Sequence, residues 1–109
     1  MTVKELSQSV GFKSIVTPSP EREIKGVYIG DLLSWVMGRA SEDNVWITIM
    51  SNVNILAVAT LADVSCIILA EGVTLDEATL NTAVSKGINI IGTDESAYQA
   101  ASRLCSMGL

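Results

Sequence analysis

Val45–Gly72, VWITIMSNVNILAVATLADVSCIILAEG, decides the fold. Val45–Met50 is β-branched and aromatic, Ser51-Asn52-Val53-Asn54 is a polar turn, and an apolar helix runs on to Ala62. Ser65–Ala70 is a second β-rich run, and Glu71-Gly72 ends it. Strand, helix and strand in this order form a βαβ unit, because parallel strands need a crossover that covers the sheet face. Its right-handed connection sets both strand C-termini on one edge. Ligands of open α/β sheets settle at that edge. The stretch holds no histidine, lysine, arginine or pair of cysteines with which to run a reaction.

The same alternation continues outward. Toward the N-terminus, Thr2 and Glu5 form a capping box for a short helix with Val3, Leu6 and Val10 on its apolar side, stopped by Gly11. Phe12–Thr17 reads as a strand, Pro18-Ser19-Pro20 breaks it, and Glu21-Arg22-Glu23 is a solvated loop. Ile24–Ile29 is the next strand, with Gly26 as a candidate bulge. Gly30-Asp31 opens a helix through Met37 whose stripe is Leu32, Leu33, Val36 and Met37, with Gly38 at its C-terminal cap. Toward the C-terminus, Thr74 with Glu77 caps a helix Leu75–Lys86 that Gly87 ends, and Ile88–Ile91 is a strand. Gly92-Thr93-Asp94 then caps a last helix with Ala97, Ala100, Ala101 and Leu104 on one face. The pattern predicts a single α/β domain over residues 1–109: a compact three-layer α/β/α arrangement with a mostly parallel sheet of about five strands.

Composition limits what such a domain does. Of 109 residues, 49% are hydrophobic and 17% charged. A chain this short leaves a third or so of its unfolded surface in water, so it carries more apolar side chains than one core readily hides. The helix Val53–Ala62 concentrates the excess, being apolar nearly all round, and needs cover on two sides. Val53, Leu56, Ala57 and Thr60 are therefore the candidate interface, and a homodimer is the simplest partner arrangement. The net charge of −5 and the scattered lysines and arginines exclude a phosphate-tracking surface for nucleic acid. The uncharged run Val45–Ala62 nears membrane-spanning length, but Asn52 and Asn54 interrupt its middle, so no membrane span is expected. MTVKELSQSV lacks the apolar core of a signal peptide, and the domain is expected in the cytoplasm. Cys66 and Cys105 lie far apart inside apolar patterns and read as buried free thiols. The absence of histidine removes the usual proton shuttle, the ordinary catalytic triad and most zinc sites. No catalytic residue, metal ligand set or cofactor is assigned.

Three segments together resemble the DRTGG domain family: Gly26-Val27-Tyr28-Ile29-Gly30-Asp31-Leu32-Leu33-Ser34, the strand–turn–helix from Trp46 to Ala59, and Ile67-Ile68-Leu69-Ala70-Glu71-Gly72. The resemblance runs from about Val3 to Leu104. It implies the α/β fold shared with the N-terminal domain of HPr kinase/phosphorylase, without that enzyme's catalytic machinery. Related domains sit beside CBS domains in regulated pyrophosphatases, which implies regulation by adenine nucleotides there. Free-standing versions occur near hydrogenase and signalling genes, which implies a signalling or redox enzyme as a possible protein partner. The naming string Asp-Arg-Thr-Gly-Gly is absent, and its place falls to Met50-Ser51-Asn52-Val53-Asn54. An arginine there would hold a phosphate, a charge that Asn52 and Asn54 do not supply.

The candidate ligand residues all belong to the ends of strands: Asp31, Ser51, Asn52, Asn54, Glu71, Thr93 and Asp94. Ser51, Asn52 and Asn54 sit where a helix N-terminus favours anions, although plain capping is the simpler reading, since nearly every helix needs it. Glu71 and Asp94 share the edge with Asp31 and suit a hydroxyl, an amine or a cation, whereas the bland reading of Asp31 and Asp94 is again capping. Trp35 and Trp46 read as core or interface aromatics, and Tyr98 as an interface hydroxyl. The functional expectation is a non-catalytic regulatory or protein-interaction module working as a homodimer. The alternative, on the resemblance, is a small-ligand sensor binding an adenine nucleotide or another phosphate compound at the strand C-terminal edge.

Overall fold

In the computed structural model, which describes residues 1–109, the elements run α1 (Val3–Ser7), β1 (Lys13–Val16), β2 (Gly26–Ile29), α2 (Leu33–Arg39), β3 (Asn44–Thr48), α3 (Asn54–Ala62), β4 (Cys66–Leu69), α4 (Glu77–Ser85), β5 (Ile90–Gly92) and α5 (Ala97–Ser106). One sheet holds all five strands in the order β1-β5-β4-β3-β2. β2 through β5 are parallel, and β1 joins β5 antiparallel at the far edge. Because β2 to β5 lie side by side in chain order, three successive right-handed crossovers carry α2, α3 and α4 to one face. α1 and α5, from the two chain ends, cover the other.

Strand side chains alternate between faces, and here both faces are apolar. Val45 lies opposite Cys66, and Ile47 is in register with Ile68 and through it with Ile91. These five pack with Val3, Leu6, Ala100 and Leu104 under α1 and α5. Trp46, Ile67 and Ile90 make the complementary row and pack with Val36, Ile55, Leu56, Ala59 and Ala83 under α2, α3 and α4. Burial at both faces explains why the central strands read as unbroken hydrophobic runs. The three-layer, mostly parallel five-stranded architecture expected from the sequence is the one observed.

Local punctuation departs from expectation at several points. The irregularity lies in β1, between Ser14 and Val16, and Gly26 pairs regularly with Asn44. A Cβ at Gly26 would come within 2.8 Å of the Asn44 side-chain nitrogen, so the glycine serves close approach rather than a bulge. α4 is capped by Asp76, whose carboxylate accepts from the Thr79 N–H at 2.7 Å, and not by Thr74. α5 is capped by Ser96 in a box with Gln99, and not by Thr93-Asp94. Gly38 lies inside α2, which ends at the Ala40 cap. Both misplaced caps have the same cause: several short polar residues precede each helix, and backbone geometry picks one.

Two polar ties lie at the opposite edge from the strand C-termini. Arg22, expected in a solvated loop, donates to Asp43 Oδ1 at 3.1 Å and to Asp63 at its carbonyl (2.7 Å) and carboxylate (2.8 Å). Asp43 and Asp63 both stand at positive φ, 65° and 56°, and the guanidinium holds the two turns together. Asn89 is buried and fully used. Its amide nitrogen donates to the carbonyls of Ser19 and Ser65, and its oxygen accepts from the Ser19 N–H.

α3 is less enclosed than its composition demanded. Ile55, Leu56, Val58, Ala59 and Ala62 are buried against the sheet and α2. Val53, Ala57, Thr60 and Leu61 face outward, Leu61 at 73% exposure. Leu56, 1% exposed, is a core residue and is withdrawn from the candidate interface, since helical geometry turns it to the sheet while Val53, Ala57 and Thr60 face away. No helix is long and apolar enough to cross a membrane.

Candidate functional site

The parallel strands β2 to β5 deliver their C-termini to one edge. β1 runs the other way, so its first residue, Lys13, arrives at the same edge opposite Gly92. All seven predicted ligand residues lie along this edge, but in separate groups with different tasks.

At the β2–β3 end, Asp31 accepts from the Thr48 hydroxyl at 2.8 Å and from the Ile49 N–H at 3.0 Å. Thr48 in turn accepts from the Met50 N–H. Asp31 thus fastens the chain where it leaves β3 and caps nothing: α2 has Leu32 at its N-cap without a side-chain hydrogen bond. In the next turn Asn52 Oδ1 accepts from the Asn54 N–H at 2.9 Å, a local Asx turn. Ser51 and Asn54 are exposed and their side chains bond to nothing within the chain. No pocket opens at this turn.

At the β4–β5 end the geometry differs. Glu71 and Gly72 both adopt left-handed backbone, φ 59° and 70°. For a non-glycine residue that conformation costs about 1 kcal/mol or more. Here it turns two N–H groups toward the next loop, where Glu71 donates to the Glu95 carbonyl at 2.8 Å and Gly72 to the Thr93 carbonyl at 2.9 Å. Thr93 is buried, and its hydroxyl accepts from the Glu95 N–H at 3.1 Å. Asp94 makes no hydrogen bond or ion pair, and Lys13 has no carboxylate within 4 Å.

Two pockets flank Lys13, Thr93 and Asp94. One, of about 260 Å³, has Ile15, Leu75 and Leu80 in its apolar wall. The other, of about 390 Å³, is more open and runs between Gly11 and Glu95 toward Arg103. Arg103 is already spent on a two-pronged bond to Glu95, its second prong 3.0 Å long. The Arg103 hydrogen bond holds the Glu95 carboxyl below its ordinary range, and Glu95 raises the guanidinium in return. Gly11, at φ 90°, makes room for the pair, since a Cβ there would meet Arg103 Nε at 2.6 Å. Lys13, Glu95 and Arg103 were not foreseen. Lys13 reaches this edge only because β1 is antiparallel, a direction its own residues do not encode.

The remaining candidates divide plainly. Trp46 is buried and donates its indole N–H to the Gly30 carbonyl at 2.8 Å. Trp35 is half exposed with the Arg39 guanidinium 3.7 Å above its ring, and Tyr98 is 82% exposed. Burial pushes the Cys66 thiol up to about 12, so it is no nucleophile. Cys105 is exposed, which corrects its expected burial: it lies on the outer side of α5, opposite Ala100 and Leu104. No three carboxylate or thiol side chains gather as a metal ion would require.

The DRTGG domain family model matches residues 14–107. A similar solved structure is that of the CBS and DRTGG domains of the regulatory region of Clostridium perfringens pyrophosphatase, complexed with its activator diadenosine tetraphosphate. The TM-score is 0.66 at 16% identity, over 92% of this chain and 47% of that one. This chain therefore spans about half the length of that neighbour, and at such identity the likeness concerns the fold. No curated protein matches the sequence. With the match covering the five-stranded sheet from Ser14 onward and the helices α2 to α5, this chain belongs to the DRTGG domain family.

Proposed function

We propose that this DRTGG domain is a non-catalytic regulatory module that acts as a homodimer and through contact with other proteins. One observation carries the reading: a group of large apolar side chains stands in water at one end of the molecule. Ile29, Leu32, Trp35, Ile49 and Val53 are each about half exposed. They follow or flank the C-termini of β2 and β3, where Asp31 binds the Ile49 N–H and draws the segments together. Exposed apolar groups of this size on a small domain mark association surfaces. On α3, Ala57, Thr60 and Leu61 are exposed as well.

The available chemistry agrees. Cys66 is sealed in the core, and the one hydroxyl that Asp31 holds, that of Thr48, is itself buried and accepts from the Met50 N–H. The neighbour's DRTGG domain belongs to a regulatory region, which gives the reading its precedent. Replacing Ile49 by Glu tests it. The side chain is outside the core, so the variant should melt within about 0.5 kcal/mol of the parent yet lose self-association. Unchanged association in a folded Ile49→Glu protein would remove this surface from the account.

A second reading, small-ligand sensing at the strand C-terminal edge, is favoured by the two pockets beside Lys13 and Asp94. The neighbour's activator suggests an adenine nucleotide or another phosphate compound. A thermal shift measured against adenine nucleotides tests that version, since a ligand at a hundred times its Kd stabilises by about 2.7 kcal/mol. No shift would count against it.

A further inference from the structure

We infer that the smaller pocket at the β1–β5 edge is a site for a free α-amino acid with an aliphatic side chain. This rests on the ligand-sensing reading and specifies it. Its volume, about 260 Å³, lies below the roughly 300–1,000 Å³ of drug-sized sites, so the occupant is a small molecule. Ile15, Leu75 and Leu80 give it an apolar wall. At its rim stand one cation and one carboxylate, Lys13 and Asp94, neither engaged with a partner inside the protein.

Thr93 supplies the independent observation. It is 2% exposed and lines the pocket, and its hydroxyl accepts from the Glu95 N–H but donates to nothing. A buried hydroxyl keeps one proton to give, and a ligand carboxylate is a suitable acceptor. Thr93 and Lys13 would then share the carboxylate, Asp94 would take the ammonium, and the side chain would enter the apolar wall.

Charge decides against a phosphate here. The only other cation nearby, Arg103, is neutralised by Glu95, and Asp94 faces the same space as Lys13. A dianion would meet one free positive and one free negative group, in a chain of net charge −5. A zwitterion satisfies both.

Amide NMR titration of the intact chain with L-leucine, 4-methylpentanoate, 3-methylbutylamine, glycine and inorganic phosphate tests the assignment. L-leucine should shift Lys13, Gly72 and Gly92–Asp94, and each fragment that lacks one of its three groups should bind at least tenfold more weakly. Lys13→Met and Asp94→Asn, both at solvent-facing positions, should each weaken L-leucine at least tenfold while the spectrum stays folded. Tighter binding of phosphate than of L-leucine at these residues overturns the ligand class. Shifts confined to Ser51–Asn54 overturn the site and leave the sensing reading standing. No shift anywhere at millimolar ligand overturns both.

Discussion

Replacing Asn89 by Ala removes three hydrogen bonds that tie the Pro18-Ser19-Pro20 loop to the sheet. Two of them reach Ser19, at 2.8 Å each, and the third reaches the Ser65 carbonyl at 3.0 Å. Ser65 is 2% exposed, so its carbonyl is left dry and unsatisfied, a loss of about 1–3 kcal/mol. Ser19 is half-buried and water replaces its partner in part, so each of its bonds is worth about 0.5–1.5 kcal/mol. The total, about 2–6 kcal/mol, is a large share of the stability of a domain this size. At about 4–8 °C per kcal/mol it lowers Tm by about 8 °C or more. Thermal and urea unfolding followed by circular dichroism measures it, and limited proteolysis should cut the freed loop between Thr17 and Glu21. Asn89→Asp should fare at least as badly, because a carboxylate cannot donate to the two carbonyls. A loss under about 0.5 kcal/mol for Asn89→Ala, the level of an ordinary surface change, would mean that these bonds do not hold the loop.

The other expectations are more local. In the native protein one thiol, Cys105, should react with a maleimide at neutral pH and the second, Cys66, only after unfolding; rapid labelling of both would contradict the burial of β4. Arg22→Gln should cost about 1–3 kcal/mol in urea unfolding, because Asp43, 19% exposed, keeps only the longer contact to Lys25 and two strained turns lose their brace. Burial alone would lower the Arg22 pKa, but its bonds to Asp63 and Asp43 outweigh that and raise it, so the pair persists across any accessible basic pH. The carboxyls of Glu5, Asp76 and Glu95 are depressed, by Thr2, by Thr79 and by Arg103 in turn. Their contribution is present above the ordinary carboxylate pKa of about 4 and is lost as pH falls through their lower folded values. Acid titration of the Asp76→Asn variant should therefore show a shallower loss of stability than the parent, and an identical profile would deny Asp76 its capping role.

What was legible in the sequence was whatever depends on period and burial. β3 and β4 announce themselves because both their faces are packed, and α3 because a crossover must link them. The direction of β1 was not legible, since Lys13–Val16 has the same pattern whichever way it runs, and with it went Lys13 and the pockets. Capping polar residues were seen but misassigned: Thr74 and Thr93 compete with Asp76 and Ser96 a few residues away, and only backbone geometry separates them. Asp31 illustrates the limit most clearly. Its position after Gly30 reads as a helix start, yet its partner is Thr48, 17 residues later in the chain. The partners of Arg22 and Asn89 lie farther still, and nothing local reveals them.

On this proposal the half-exposed side chains from Ile29 to Val53 pack against a second copy of the chain. Sedimentation velocity of the unmodified protein at micromolar concentration weighs that directly. The claim requires a species of twice the 11.6 kDa of one chain. A single monomeric boundary that persists as the concentration rises would contradict it.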